Sequence, residues 1–181
     1  MANILGNNFM EGPLGVVRFE FDGLDLGKTL GGAEIEFIED VFDIMYDQDG
    51  TQPGDKVTTG CAWQVTTQLA QQTLERLDKV MKGLTRAGNS AKLGRELYQS
   101  AKENKAAVLR VYRVDSEGSE AADAHFVLTF YKAWPQVTGP VAYGPDSQRA
   151  LPVTFYCFWD DTNEAFGYFG NASSVGLTPA E

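Results

Sequence analysis

The chain has 181 residues, 43% of them hydrophobic, and a formal charge of −10 at pH 7. That supplies one substantial core, and the length predicts a single domain over residues 1–181. The acid excess excludes sequence-independent attraction to nucleic acid, which draws its affinity from Lys and Arg neutralising phosphate.

Residues 1–13 read as a loose arm. Met1 to Asn8 lack the basic start and long apolar centre of a secretion signal, so the protein is expected in the cytoplasm where it is made. No window approaches the roughly 18 apolar residues of a membrane helix. In Val17-Arg18-Phe19-Glu20-Phe21-Asp22 the odd positions are apolar and the even ones charged, the period of a strand with one face on a core. Ala33 to Glu39 repeats the alternation, and the glycine-bearing turn Asp22 to Gly27 predicts that the two pair with each other. Val41 to Tyr46 reads as a third strand. Asp47-Gln48-Asp49-Gly50-Thr51-Gln52-Pro53 is an acidic turn-rich loop, of the kind that carries contacts on a rigid scaffold.

Cys61 to Gln68 alternates again, with an uncharged polar face of Ala62, Gln64, Thr66 and Gln68. The period then changes: Ala70, Leu74, Leu77, Met81 and Leu84 predict an amphipathic helix over 69–82, stopped by Gly83. Gly88-Asn89-Ser90 reads as loop and Leu93 to Asn104 as a short second helix. Ala107 to Val114 and His125 to Lys132 predict a hairpin that Trp134-Pro135 ends. Leu151 to Asp160 is a last strong strand, and the tail from about residue 172 reads as loose. The expected fold is mainly β (α+β): a sandwich or barrel of about seven or more strands with one flanking helix.

Chemistry is sparse. Gly23-Leu24-Asp25-Leu26-Gly27-Lys28-Thr29 imitates a phosphate-binding loop but has three residues between its glycines instead of four, and leads into a strand instead of a helix. Aligning Gly50 with the invariant glycine of a calcium loop puts Met45 and Lys56 at ligand positions, which excludes that motif; an irregular cation site of Asp47, Asp49 and Asp55 is the remaining reading there. His125 is the only histidine, so no multi-histidine metal site exists and any nucleophile-histidine system would rest on it alone. Asp160-Asp161 read as a turn instead of paired catalytic acids. Cys61 and Cys157 each lie in an apolar strand pattern and are expected as buried, reduced thiols, with a bridge within or between subunits as the alternative. No enzyme, cofactor or metal is predicted. The aromatics Phe155, Tyr156, Phe158, Trp159, Phe166, Tyr168 and Phe169 read first as core and interface, and second as the platform of a monomeric ligand- or glycan-binding module.

The order of these pieces resembles the major tail tube proteins of long-tailed bacteriophages. The stretches that carry it are Val17 to Glu39 with the Phe21-Asp22-Gly23 and Leu26-Gly27-Lys28-Thr29 turn, Asp47 to Pro53, Gly60 to Leu77, Leu93-Gly94-Arg95-Glu96-Leu97, Tyr131 to Pro135, Leu151 to Phe155 and Phe169-Gly170. The resemblance spans about residues 14–171. It implies a virion structural protein of the tail, assembled in the host cytoplasm into stacked hexameric rings, a fold shared with the tube of type VI secretion. The implied partners are further copies of the chain, a sheath if the tail is contractile, and tape measure, baseplate and terminator proteins, with DNA passing through unbound and no membrane. On this reading Phe9 and Met10 of the arm and Asp47, Gln48 and Asp49 of the acidic loop are candidates for ring-to-ring contacts. Asp22, Glu34 and Glu36 are candidates for acids that face the lumen.

Overall fold

The computed structural model describes residues 16–46, 53–94, 100–114, 127–140 and 149–180. They form a mainly β protein with one flanking helix. The strands are β1 (Val17–Phe21), β2 (Leu24–Asp25), β3 (Thr29–Ile44), β4 (Asp55–Leu69), β5 (Leu84–Ala87), β6 (Ser90–Leu93), β7 (Ala107–Arg113), β8 (Leu128–Val137), β9 (Leu151–Phe158) and β10 (Gly167–Phe169). Two helices, α1 (Leu74–Val80) and the single turn α2 (Ala101–Asn104), interrupt them. Eight strands make one antiparallel sheet in the order β2-β1-β7-β8-β9-β4-β3, with β10 also on β8; β5 and β6 form a separate hairpin. The sheet curls until Thr29 Oγ1 donates to the Val17 carbonyl at 3.2 Å, which brings the start of β3 against β1. Inside the curl, Phe19, Phe21, Leu26, Val65, Leu69 and Phe155 form the centre of the hydrophobic cluster. Among the described residues no helix is long and apolar enough to cross a membrane.

Several expectations are corrected. β1 does not pair with β3: Asp22 and Gly23, both at positive φ (52° and 70°), make a two-residue turn into β2, and the other edge of β1 takes β7. The two strands predicted around Asp40 are one 16-residue strand, because β4 pairs with it from Leu69 to Asp55 and carries it past the break. The helix is shorter than predicted. Leu69 is held between β3 and β9, and Thr73, in extended conformation, caps the helix by accepting from the Arg76 amide. Leu93 closes a hairpin instead of opening a helix, since β5 and β6 pair over Gly88 and Asn89; of the helix predicted over 93–104, α2 is the part that is helical among the described residues.

Trp134-Pro135 does not end β8. The Thr138 amide donates to the Pro152 carbonyl, so even-numbered amides of this stretch face β9 and the missing N–H of Pro135 falls on the opposite edge. β7 begins opposite Ala133, so among the described residues no strand pairs with that edge at Pro135. The tail is docked, not loose: Tyr131 Oη donates to the Thr178 carbonyl at 2.6 Å, Ala172 is buried, and Ala172–Val175 form a 3-10 turn capped by Asn171.

Candidate assembly surface

β3 and β4 outrun the sheet that supports them. β9 covers β4 only from Trp63 to Leu69, so Ile38–Ile44 and Asp55–Ala62 continue as a ribbon with no third strand among the described residues, roughly 20–25 Å long at about 3.4 Å per residue. A register shift places Thr59 as an extra residue beside Asp40, whose carbonyl accepts from Thr59 Oγ1 at 3.1 Å; such bulges sharpen local twist. The ribbon and its end are apolar and exposed: Phe42 is 64% exposed, and Val41, Met45, Tyr46 and Val57 are exposed with it. Glu39, Asp40, Asp43 and Asp55 border them, against one cation, Lys56, which pairs with Asp43 at 3.1 Å. An isolated pair of strands is marginal in water, and among the described residues no strand pairs with the outer edge of β3, which meets β1 only at the contact with Val17. Long, apolar, unpaired edges are templates for another chain.

The predicted acids divide. In register, Ala33, Ile35 and Phe37 share the core face with Thr67, Val65 and Trp63, which turns Glu34 and Glu36 to the opposite, outward face beside Thr66 and Gln64. That face continues through Thr154 and Tyr156 of β9 to Gln136 and Trp134 of β8; Thr66 and Thr154 hydroxyls meet at 3.2 Å and the Tyr156 and Trp134 rings lie 6.1 Å apart. Asp22 stands apart from them on the β1–β2 turn, ion-paired with Lys79 of α1. Phe9, Met10, Asp47, Gln48, Asp49 and His125 lie outside the described residues. No group of three or more metal-ligating side chains occurs among the described residues.

A second feature is aromatic. β9 and β10 occupy the same edge of β8, Phe158 opposite Lys132 and Gly167 opposite Phe130, while residues 159–166 loop out between them. Asp160 closes the loop: its amide donates to the Ala165 carbonyl at 3.0 Å, and its carboxylate accepts from Lys132 Nζ at 2.6 Å and from Asn163 Nδ2 at 2.7 Å. Lys102 reaches Asp161 at 2.9 Å. Beneath the loop a cavity of about 310 Å³ is lined by Trp63, Phe130, Trp159, Phe166 and Phe169, with Glu164 among the lining residues. Phe155, read from sequence among the possible platform residues, is fully buried in the core instead. Sequence reasoning gave no signal for this cavity, whose lining comes from β4, β8, the 159–166 loop and β10, elements far apart in the chain.

Lys132, with Asn163 beside it, holds the Asp160 carboxyl below its ordinary range. A carboxyl whose pKa is lower folded than unfolded stabilises above its unfolded value and loses that contribution as pH falls through the folded one. Thermal melts of the native protein are therefore expected to drop on acidification below about pH 4, and Asp160→Asn should show a smaller drop over that window. An equal pH dependence in both proteins would contradict the pairing.

Cys157 is buried as expected, and burial pushes its thiol pKa up to about 12. Cys61 is exposed, contrary to expectation, because it lies on the ribbon beyond the cover of β9. A maleimide reagent is expected to label one thiol per native chain and two after denaturation; fast labelling of both in the native protein would contradict this placement.

No protein-family model and no curated protein sequence matches this chain.

Proposed function

We propose that this protein is a structural subunit that assembles with copies of itself into stacked hexameric rings, forming a tail tube that conducts DNA passively. The observation that carries the reading is the 16-residue edge strand β3, which runs out with β4 into an exposed, apolar and acidic ribbon. Such a surface is a liability in a monomer, and head-to-tail contacts that close into a ring remove it. The tail-tube resemblance supplies the form of the assembly, and with it the sheath, tape measure, baseplate and terminator partners. Glu34 and Glu36, on one outward face of β3, are the acids offered to the lumen, where they repel phosphate and let the genome slide. Asp22 is assigned no such role, because Lys79 already neutralises it.

Negative-stain electron microscopy of the purified protein over a concentration series tests this. Six-fold rings or hollow tubes support the reading. Compact monomers at every concentration favour the second one, a monomeric binding module. The aromatic cavity of about 310 Å³ speaks for that alternative, since it falls at the lower end of the roughly 300–1,000 Å³ usual for small-molecule sites.

A further inference from the structure

The cavity beneath the 159–166 loop is walled by aromatic rings, among them Trp63, Phe130, Trp159, Phe166 and Phe169. Its rings are inclined to one another and not stacked: Trp63 and Phe130 lie 6.1 Å apart at 51°, Trp159 and Phe166 5.4 Å apart at 80°. Trp63 also packs on Phe37 at 4.8 Å, and the Asp160 contacts that close the loop hold Trp159 and Phe166 in place. The walls therefore stand before any ligand arrives, which lowers the cost of binding. Trp159 and Phe169 are 43% and 57% exposed, so the cavity opens to solvent on their side.

The charge around it has one sign. The loop carries Asp160, Asp161 and Glu164 and no basic residue. Lys132 and Lys102 neutralise the first two. Glu164 lines the cavity, is exposed, and has no hydrogen-bond or ion-pair partner among the described residues. It sits at a φ of 50°, in the left-handed region where non-glycine residues are uncommon. An anion would meet that carboxylate unshielded, and a neutral ligand would draw no attraction from it. A cation gains twice, from the carboxylate and from the ring faces, which carry the negative part of the aromatic quadrupole.

We infer that this cavity binds a small quaternary ammonium ion of the trimethylammonium type, its methyl groups against the faces of Trp63, Trp159 and Phe166 and Glu164 at the mouth. A primary ammonium is strongly hydrated and would leave N–H donors short of acceptors between aromatic walls; a quaternary ion has no N–H to satisfy. The volume of about 310 Å³ is about twice the roughly 150 Å³ that takes benzene, which leaves room for the head and a short polar tail. The inference stands on the cavity and is independent of self-assembly; it gives the binding-module reading its ligand class.

Titration of the full chain with choline, followed by tryptophan fluorescence and by calorimetry, tests it. Choline should bind saturably, and its neutral carbon isostere, with tert-butyl in place of trimethylammonium, about tenfold more weakly. Phosphocholine, the same cation as a lipid headgroup, should bind more weakly than choline because its phosphate meets Glu164. Glu164→Gln is expected to weaken choline about fivefold and Trp159→Leu, which keeps apolar bulk but removes a ring face, about tenfold, with the melting temperature unchanged. No saturable binding of choline to the native chain, equal or better binding of the isostere or of glucose, tighter binding of phosphocholine, or unchanged choline affinity in both variants would overturn the assignment. Any of these leaves the tube reading standing, since that reading is decided by the rings or their absence in the electron microscope.

Discussion

Replacing Phe155 by alanine is expected to cost about 3–5 kcal/mol of unfolding free energy, the range for truncating an aromatic in a packed core. Phe155 is fully buried on β9, flanked in register by Val65 of β4 and Pro135 of β8. Its ring stacks on Phe19 at 6.2 Å and meets Phe21 at 5.5 Å, so one side chain joins β9 to β1 across the interior of the curled sheet. Neither phenylalanine on β1 can follow the lost ring without leaving its pairing with β7, so a cavity remains. Against a total of about 5–15 kcal/mol this is a large fraction. Urea unfolding should show the midpoint falling with an unchanged slope. A loss below about 1 kcal/mol would mean that the ring is not at the centre of the core.

The second large effect concerns assembly instead of stability. Phe42→Ser combined with Val57→Ser removes two exposed apolar side chains that lie opposite each other on the ribbon, where no third strand pairs among the described residues. Substitutions at such exposed positions usually change folding free energy by less than about 0.5 kcal/mol. If a neighbouring copy covers them, each loses about 1.5 kcal/mol or more of burial, and the concentration for half-assembly should rise about a hundredfold. Light scattering against concentration, paired with a melt of the monomer, separates the two quantities. An unchanged threshold would place the ribbon outside the interface, and a large fall in melting temperature would mean that it is part of the monomer's own core.

The elements were legible where local periodicity speaks for itself. Alternation identified the strand character of Val17–Phe21, Ala107–Arg113 and Leu151–Phe158, and the mainly β class followed. The pairing of β7 with the strand after it was also legible. Pairing failed where it depended on distant residues: β1 takes β7, some ninety residues away, in preference to the nearby β3. The alternating runs Ala33 to Glu39 and Val41 to Tyr46 were read as two strands with Asp40 between them, yet an exposed strand face accommodates that acid, and β4 is what holds the chain extended through it. Pro135 looked like a terminator because proline removes a donor. Only the neighbours of β8 show that this donor would have had no partner. The β5–β6 hairpin is short and polar, and tertiary contacts mark it out, among them the Arg86 to Glu75 pair at 3.6 Å.

The candidate surface divides in the same way. Glu34 and Glu36 were found by alternation, since a strand turns every second residue to one face and both lie at even positions between apolar odd ones. Asp22 was grouped with them as a charged even position at the end of an alternating strand, and the fold puts it in the β1–β2 turn and gives it to Lys79 instead. Cys61 and Val65 sit in the same sequence pattern, yet one is exposed and the other buried, because β9 stops between them. Backbone geometry sets the period of a strand residue by residue, so strand character, the sign of the surface and the want of catalytic motifs were determined by the sequence itself. Burial depends on what long-range packing lays over each face, so the length of the ribbon, the exposure of Phe42 and the cavity beneath the 159–166 loop were decided only by the tertiary structure.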